Sequence, residues 1–135
     1  MPSYWIVKTE PSTYSYDDLR REKKTVWDGV KNNLALKHIR SMKKGDNVLV
    51  YHSGADKALV GLAVVASDPY PDPKAKDEKL TVVDLRATKP LTRSVALSEI
   101  KSDGGFKDLA LVRMPRLSVM PATAAQWKRL LKMAG

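Results

Sequence analysis

The chain has two histidines, His38 and His52, and they set the first limit on its chemistry. His52 stands in Tyr51-His52-Ser53, where a hydroxyl adjoins an imidazole. Neighbouring side chains of a strand leave on opposite faces, so His52 is poorly placed to activate Ser53. A packed or hydrogen-bonded histidine is the plainer reading. Neither histidine has a second at metal-ligand spacing, and the absence of cysteine excludes thiolate metal sites, a thiol nucleophile and disulfides. Asp17-Asp18 opens a helix, where the dipole accounts for both carboxylates without catalysis. There is no glycine-rich phosphate loop of either common kind. With no obvious catalytic constellation and no metal or cofactor implied, the residues point to a binding module.

Charge narrows the partner. Lysine and arginine total 24 against 15 acids, for a net charge of +9. Such a balance points to nucleic acid, an acidic membrane or a phosphorylated metabolite, the alternative being a basic surface with no specific partner. From Arg20 to Lys44, Arg20, Arg21, Lys23, Lys24, Lys31, Lys37, Arg40, Lys43 and Lys44 face only Glu22 and Asp28, a local balance of +7. A basic band beside aromatic segments reads as a docking face.

The elements that must position these residues follow from pattern. The 135 residues fit one domain, 1–135, and a chain of this size buries about two thirds of its unfolded surface. No apolar run is long enough to span a membrane, and no secretory signal opens the chain, so a cytoplasmic protein is expected. Tyr4–Lys8 is a predicted strand ended by Glu10-Pro11. Ser15 caps a predicted helix from Tyr16 to about Glu22. Val26–Gly29 reads as a turn or short extended piece. Asn32 caps a predicted helix through about Met42, with Leu34, Ala35, Ile39 and Met42 inward. Strands are predicted at Asn47–His52, at Ala58–Ala66 with both faces buried, and at Leu80–Ala87. Three prolines keep Asp68–Pro73 out of regular structure. Val95–Lys101 is a weak predicted helix, Arg116–Met120 a short strand closed by Pro121, and Thr123 starts a helix through Lys132 with Trp127, Leu130 and Leu131 inward. About five strands with flanking helices make one α+β domain around a small curved or barrel-like sheet.

Several segments in order resemble the EVE-domain family. They are Tyr4-Trp5-Ile6-Val7-Lys8-Thr9-Glu10-Pro11-Ser12, Tyr14–Leu19, Trp27-Asp28-Gly29-Val30-Lys31-Asn32 and Met42-Lys43-Lys44-Gly45-Asp46. Tyr51-His52-Ser53, Val60–Ala63, Tyr70–Pro73 and Arg116-Leu117-Ser118-Val119-Met120-Pro121 complete the set. The resemblance runs from Tyr4 to Trp127. It implies a PUA-like fold, a small twisted or open β-barrel flanked by helices and related to the YTH and ASCH domains. It also implies a function, the reading of a modified base in DNA or RNA after the base is extruded into a pocket. Relatives usually carry serine at Thr9 and arginine at Lys31; lysine lacks the planar fork of arginine. Asn33 and Leu34 also depart from the family pattern, and Leu34 removes a possible hydrogen-bonding group.

An extruded base needs a flat apolar surface, polar groups for its edge and cations for its phosphates. Trp27 beside Asp28-Gly29 is the stacking candidate, core burial being the alternative. Asn32 offers a donor and an acceptor for a base edge, and its capping role is compatible with that. Thr9 and Ser53 are hydroxyls at strand ends, with turn bonds as the competing role. The resemblance brings in Tyr51, Arg116 and Ser118 as further pocket residues. Lys31, Lys37, Arg40 and Lys43 are the candidate phosphate contacts. The expectation is a monomeric reader of modified DNA or RNA that needs no membrane. A nucleic-acid-processing enzyme and a protein-interaction module are the alternatives.

Overall fold

The apolar run of the first strand decides where the sheet is centred. In the computed structural model, which describes residues 3–77 and 79–135, β1 (Tyr4–Thr9) buries Trp5, Ile6 and Val7 in succession. Three buried neighbours in a row mean that both faces are covered. β1 lies between β3 (Asn47–His52), to which it runs parallel, and β7 (Val119–Ala122), to which it runs antiparallel. The parallel pair needs a long crossover. It is supplied by α1 (Tyr16–Glu22), β2 (Lys24–Trp27) and α2 (Asn33–Ser41). The remaining elements are β4 (Ala58–Val65), β5 (Tyr70–Pro71), β6 (Thr81–Ala96), α3 (Leu97–Ser102), α4 (Ala110–Arg113) and α5 (Ala124–Met133). The strand order is β2-β6-β4-β3-β1-β7, with β5 also against β6. The sheet is mixed, has 7 strands and is not closed, with helices flanking it in an α+β arrangement.

The differences from the sequence reading have physical reasons. Among the described residues there are seven strands rather than about five. β6 does not stop at Ala87 but continues through Pro90 to Ala96, with register shifts opposite Leu59–Gly61 and Leu62–Ala63. Those irregularities accommodate a proline that cannot donate to a ladder. Val95 and Ala96 therefore belong to β6, and α3 starts at Leu97. β4 alternates buried and half-buried residues along most of its length, so it is covered mainly on one face. Tyr70-Pro71 forms a two-residue strand inside the proline-rich loop. Val26-Trp27 closes β2, paired with Val83 and Asp84 of β6. The last strand begins at Val119 and includes Pro121, tolerated because β7 is an edge. In α2, Leu36 is buried where Leu34 was expected; Leu34 packs half-buried at the margin of the core. The short α4 has no counterpart in the sequence reading.

Two joints fix the helices to the sheet. Gly61 is one: a Cβ there would collide with the Tyr16 ring, so glycine lets that side chain of α1 lie directly on β4. Tyr16 Oη donates to Leu62 O at 2.5 Å, and Tyr16 N–H donates to His52 Nε2 at 2.9 Å. Ser15 and Asp18 complete a reciprocal cap on α1. The other joint is Asp46, 3% exposed, whose carboxylate accepts from Ser3 N–H, Trp5 Nε1 and Lys43 N–H, each at 2.9 Å. It ties the start of β1 to the turn between α2 and β3.

Candidate nucleic-acid interface

At the other end of β1 the chain leaves a cleft of about 650 Å³. Sites for small ligands fall at about 300–1,000 Å³. β1 contributes Lys8 and Thr9, the following loop Thr13 and Tyr14, and β2 Thr25 to Trp27. Asp28 to Lys31, Lys74 and Ser118 close the remaining sides. Gly29 has φ of +78°, in the left-handed region, and turns the chain from β2 along the cleft toward α2.

The cleft has an aromatic corner. The rings of Tyr14 and Trp27 meet edge to face, with centroids 6.2 Å apart and planes at 80°. Trp27 ends a strand rather than sitting in a loop, and it is 7% exposed. It belongs to the core, the alternative reading, and it also lines the cleft. Tyr14, half-buried, is the more accessible ring. Its hydroxyl donates to the Glu22 carboxylate. Burial, and then that carboxylate, push its pKa up to about 12.

Polar groups line the wall beside the corner. Thr9 Oγ1 donates to Tyr14 O at 2.6 Å, so toward the cleft the hydroxyl offers only its lone pairs. Lys8 is held at an intermediate depth. Its Nζ donates to Pro115 O at 2.7 Å and lies 5.5 Å from the centre of the Tyr51 ring, and burial lowers its pKa. Lys8 N–H donates to Ser118 O at 2.9 Å, which draws Ser118 onto the same wall.

The residues picked from the sequence separate into three groups. Thr9, Trp27, Lys31 and Ser118 come together in the cleft. Tyr51 and Ser53 do not line it. Tyr51 is buried behind Lys8, and Ser53 N–H donates to Thr9 O at 2.9 Å, continuing the β1–β3 pairing, while its hydroxyl donates to the same carbonyl at 3.4 Å rather than within a local turn. Asn32 and Arg116 line a neighbouring hollow of about 480 Å³, together with Leu34, Arg113, Met114 and Leu117. Asn32 Oδ1 caps α2 by accepting from Ala35 N–H at 3.0 Å. Lys37, Arg40 and Lys43 lie outside both hollows, and Arg40 donates to Lys79 O at 2.8 Å. Within the basic band, Arg20 and Arg21 pair with Asp17 and Asp18 along α1.

The sequence reading missed Lys8, Tyr14, Thr25 and Lys74 as lining residues. Tyr14 stands one residue before the α1 cap and just after Glu10-Pro11, an aromatic in a loop with no apolar neighbour to bury it. That was a usable signal. Lys74 carries none. His52 is fully engaged, accepting from Tyr16 at Nε2 and facing Asp56 Oδ2 from Nδ1 at 3.1 Å. Among the described residues no group of three His, Asp or Glu is placed to hold a metal ion.

These features coincide with a known domain. The sequence profile of the EVE domain matches residues 3–133, and the chain belongs to the EVE-domain family. A Rhodopseudomonas palustris protein solved by NMR is 40% identical, superposes with a TM-score of 0.94, and is covered over 93% of its length by 98% of this chain. Human thymocyte nuclear protein 1 is 28% identical over 98% of this chain and 74% of the relative. Its structure in complex with 5-methylcytosine-containing DNA superposes with a TM-score of 0.90, covering 98% of this chain and 97% of that one. The ASCH protein of Zymomonas mobilis, at 9% identity and a TM-score of 0.62 over 97% of this chain and 95% of that one, shares the fold alone. The architecture is thus the PUA-like one common to EVE and ASCH domains.

Proposed function

We propose that this protein binds DNA carrying a modified base such as 5-methylcytosine and takes that base, extruded from the stack, into the cleft at the end of β1. The observation that carries the reading is the convergence of Thr9, Trp27, Lys31 and Ser118, from three separate stretches of chain, on one cleft with an aromatic corner. The relative solved with 5-methylcytosine DNA supports the choice of ligand. Tyr14 and Trp27 give the base its apolar wall. Thr9 accepts from its edge and Ser118 faces it from across the cleft. Lys8, Lys31 and Lys74 lie on the path of its phosphates, while Lys37, Arg40 and Lys43 meet the flanking backbone. The protein acts as a monomer and needs neither metal nor catalytic group.

Stacking of one base contributes about 1–3 kcal/mol. A methyl group fitted into an apolar recess adds about 1 kcal/mol. The preference for modified over plain base is therefore modest, several-fold to some tens-fold. Fluorescence anisotropy on short oligonucleotides tests this, each carrying one modified base, against plain controls at two salt concentrations. Tighter binding of a modified strand is the expected result. Equal and salt-sensitive binding to every strand contradicts it and leaves a basic surface for a general polyanion or an acidic protein.

A further inference from the structure

Met114 and Val26 are the large apolar side chains left exposed among the described residues, Met114 at 44%. Val26 lines the cleft, and Met114 lines the neighbouring hollow. The sequence around Met114 reads Arg113-Met114-Pro115-Arg116, an apolar residue between two guanidinium groups. This turn is braced on three sides. Met114 N–H donates to Ala110 O at 2.7 Å, Leu117 N–H to Met114 O at 3.0 Å, and Lys8 Nζ to Pro115 O at 2.7 Å. Because Lys8 and Ser118 belong to the cleft while Pro115 to Leu117 belong to the hollow, the turn is the lip between the two. The nearest carboxylate to Arg113 is Asp108, at 3.9 Å with both side chains largely exposed, which leaves the guanidinium able to meet another anion.

A single exposed methionine is ordinary on a protein surface; one held in a braced turn between two arginines, at the lip of the cleft, also suits a surface that enters a base stack. Proteins that unstack DNA insert apolar side chains between base steps while cations hold the adjacent phosphates. A thioether is flexible enough to fill an irregular gap. We propose that the Arg113–Arg116 turn is a duplex wedge: Met114 occupies the space that the extruded base vacates, and Arg113 and Arg116 clamp the phosphates on either side of it. The inference rests on the base-extrusion reading above and extends it from the base to the duplex that surrenders it. It commits the ligand to double-stranded DNA, whose closed stack is what a wedge must open.

The test uses the full chain with one 5-methylcytosine oligonucleotide, offered as a single strand and as a duplex carrying 2-aminopurine beside the modified base. Met114→Ala is expected to weaken duplex binding on the order of tenfold, the stacking surrogate being lost, and to leave single-strand binding unchanged. The 2-aminopurine signal that the unaltered protein raises should fall with Met114→Ala and return with Met114→Leu. Arg113→Ala combined with Arg116→Ala should weaken duplex binding and reduce its salt slope by about 2. A Met114→Ala protein that binds the duplex like the unaltered one, or that weakens on single strand and duplex alike, overturns the wedge. An unaltered protein with no preference for the modified single strand overturns the base reading itself, and the wedge with it. Thermal melting checks that each variant is folded, and the exposure of Met114 favours that.

Discussion

The two ends of β1 are built to different ends. At Trp5, the Asp46 carboxylate is 3% exposed and accepts from three donors at 2.9 Å, so its burial shuts it away from any ligand. At Thr9, four residues later in the same strand, the polar groups are half-buried, one lone-pair set of the hydroxyl is unused, and an ammonium rests on a single carbonyl. Buried polar groups must be satisfied, and where they are, they hold structure. Where a polar group lies at intermediate depth with capacity left over, it suits binding. The comparison teaches which parts of the family signature hold the domain together and which keep polar capacity for a partner. Trp5 and Asp46 do the first. Thr9, Trp27 and Ser118 are assigned to the second.

The largest expected effect breaks the structural end. Asp46→Ala strands the donors of Ser3, Trp5 and Lys43 and should cost about 3–5 kcal/mol. Urea melts would show it as a lower midpoint. An unchanged midpoint would mean that the clamp is not what joins β1 to β3. Next comes Gly61→Ala, where the added Cβ meets the Tyr16 ring. Overpacking of this kind costs about 1–3 kcal/mol. Calorimetry should show the drop in Tm while the affinity of folded protein for modified DNA stays as it was. Loss of affinity at full stability would place α1 in the binding surface instead.

At the cleft end the changes are smaller and appear in binding. Lys31→Ala should leave Tm alone and lower the salt slope of DNA binding by about 1, as expected for one phosphate contact. A slope that does not change would take Lys31 off the backbone path. The subtlest effect is a titration. The Tyr14 phenol is pushed up to about 12 from its ordinary 10.0, by burial first and then by Glu22. The folded state therefore favours the protonated phenol. This contribution is fully present below pH 10 and is lost as pH rises from about 10 to about 12. The Asp84 hydrogen bond likewise pushes Tyr70 up to about 12. Absorbance at alkaline pH should show late-ionising tyrosine, reduced in Tyr14→Phe. Ionisation of Tyr14 near 10 would mean that its hydroxyl is not held by Glu22.

The caps and most of the strands were legible from local signals. Ser15, Asn32 and Thr123 each cap the helix assigned to them, because capping depends on residues within one turn. β6 beyond Ala87 was not legible, since Thr88 to Pro90 are exposed and a proline there looks like an end. Only its pairing with β4 across a register shift makes it strand. The same division runs through the site. Trp27 and Thr9 were found from residue type, whereas Lys8 and Lys74 reach the cleft through tertiary placement that no local pattern announces. Tyr51 came in on resemblance and Ser53 as a hydroxyl at a strand end, and neither lines the cleft, because Tyr51 is buried behind Lys8 and Ser53 is drawn onto Thr9 O.

The central claim is that the cleft end of β1, and not its Asp46 end, takes the modified base. For a chain of 15.0 kDa the direct test is an amide NMR titration with a short 5-methylcytosine oligonucleotide, compared with its plain counterpart. The account predicts that the modified base shifts the amides of Thr9, Thr25, Asp28 to Lys31 and Ser118 beyond what the plain strand does, while those of Trp5 and Asp46 stay in place. Shifts confined to other surfaces, with the cleft amides silent toward both strands, would contradict it.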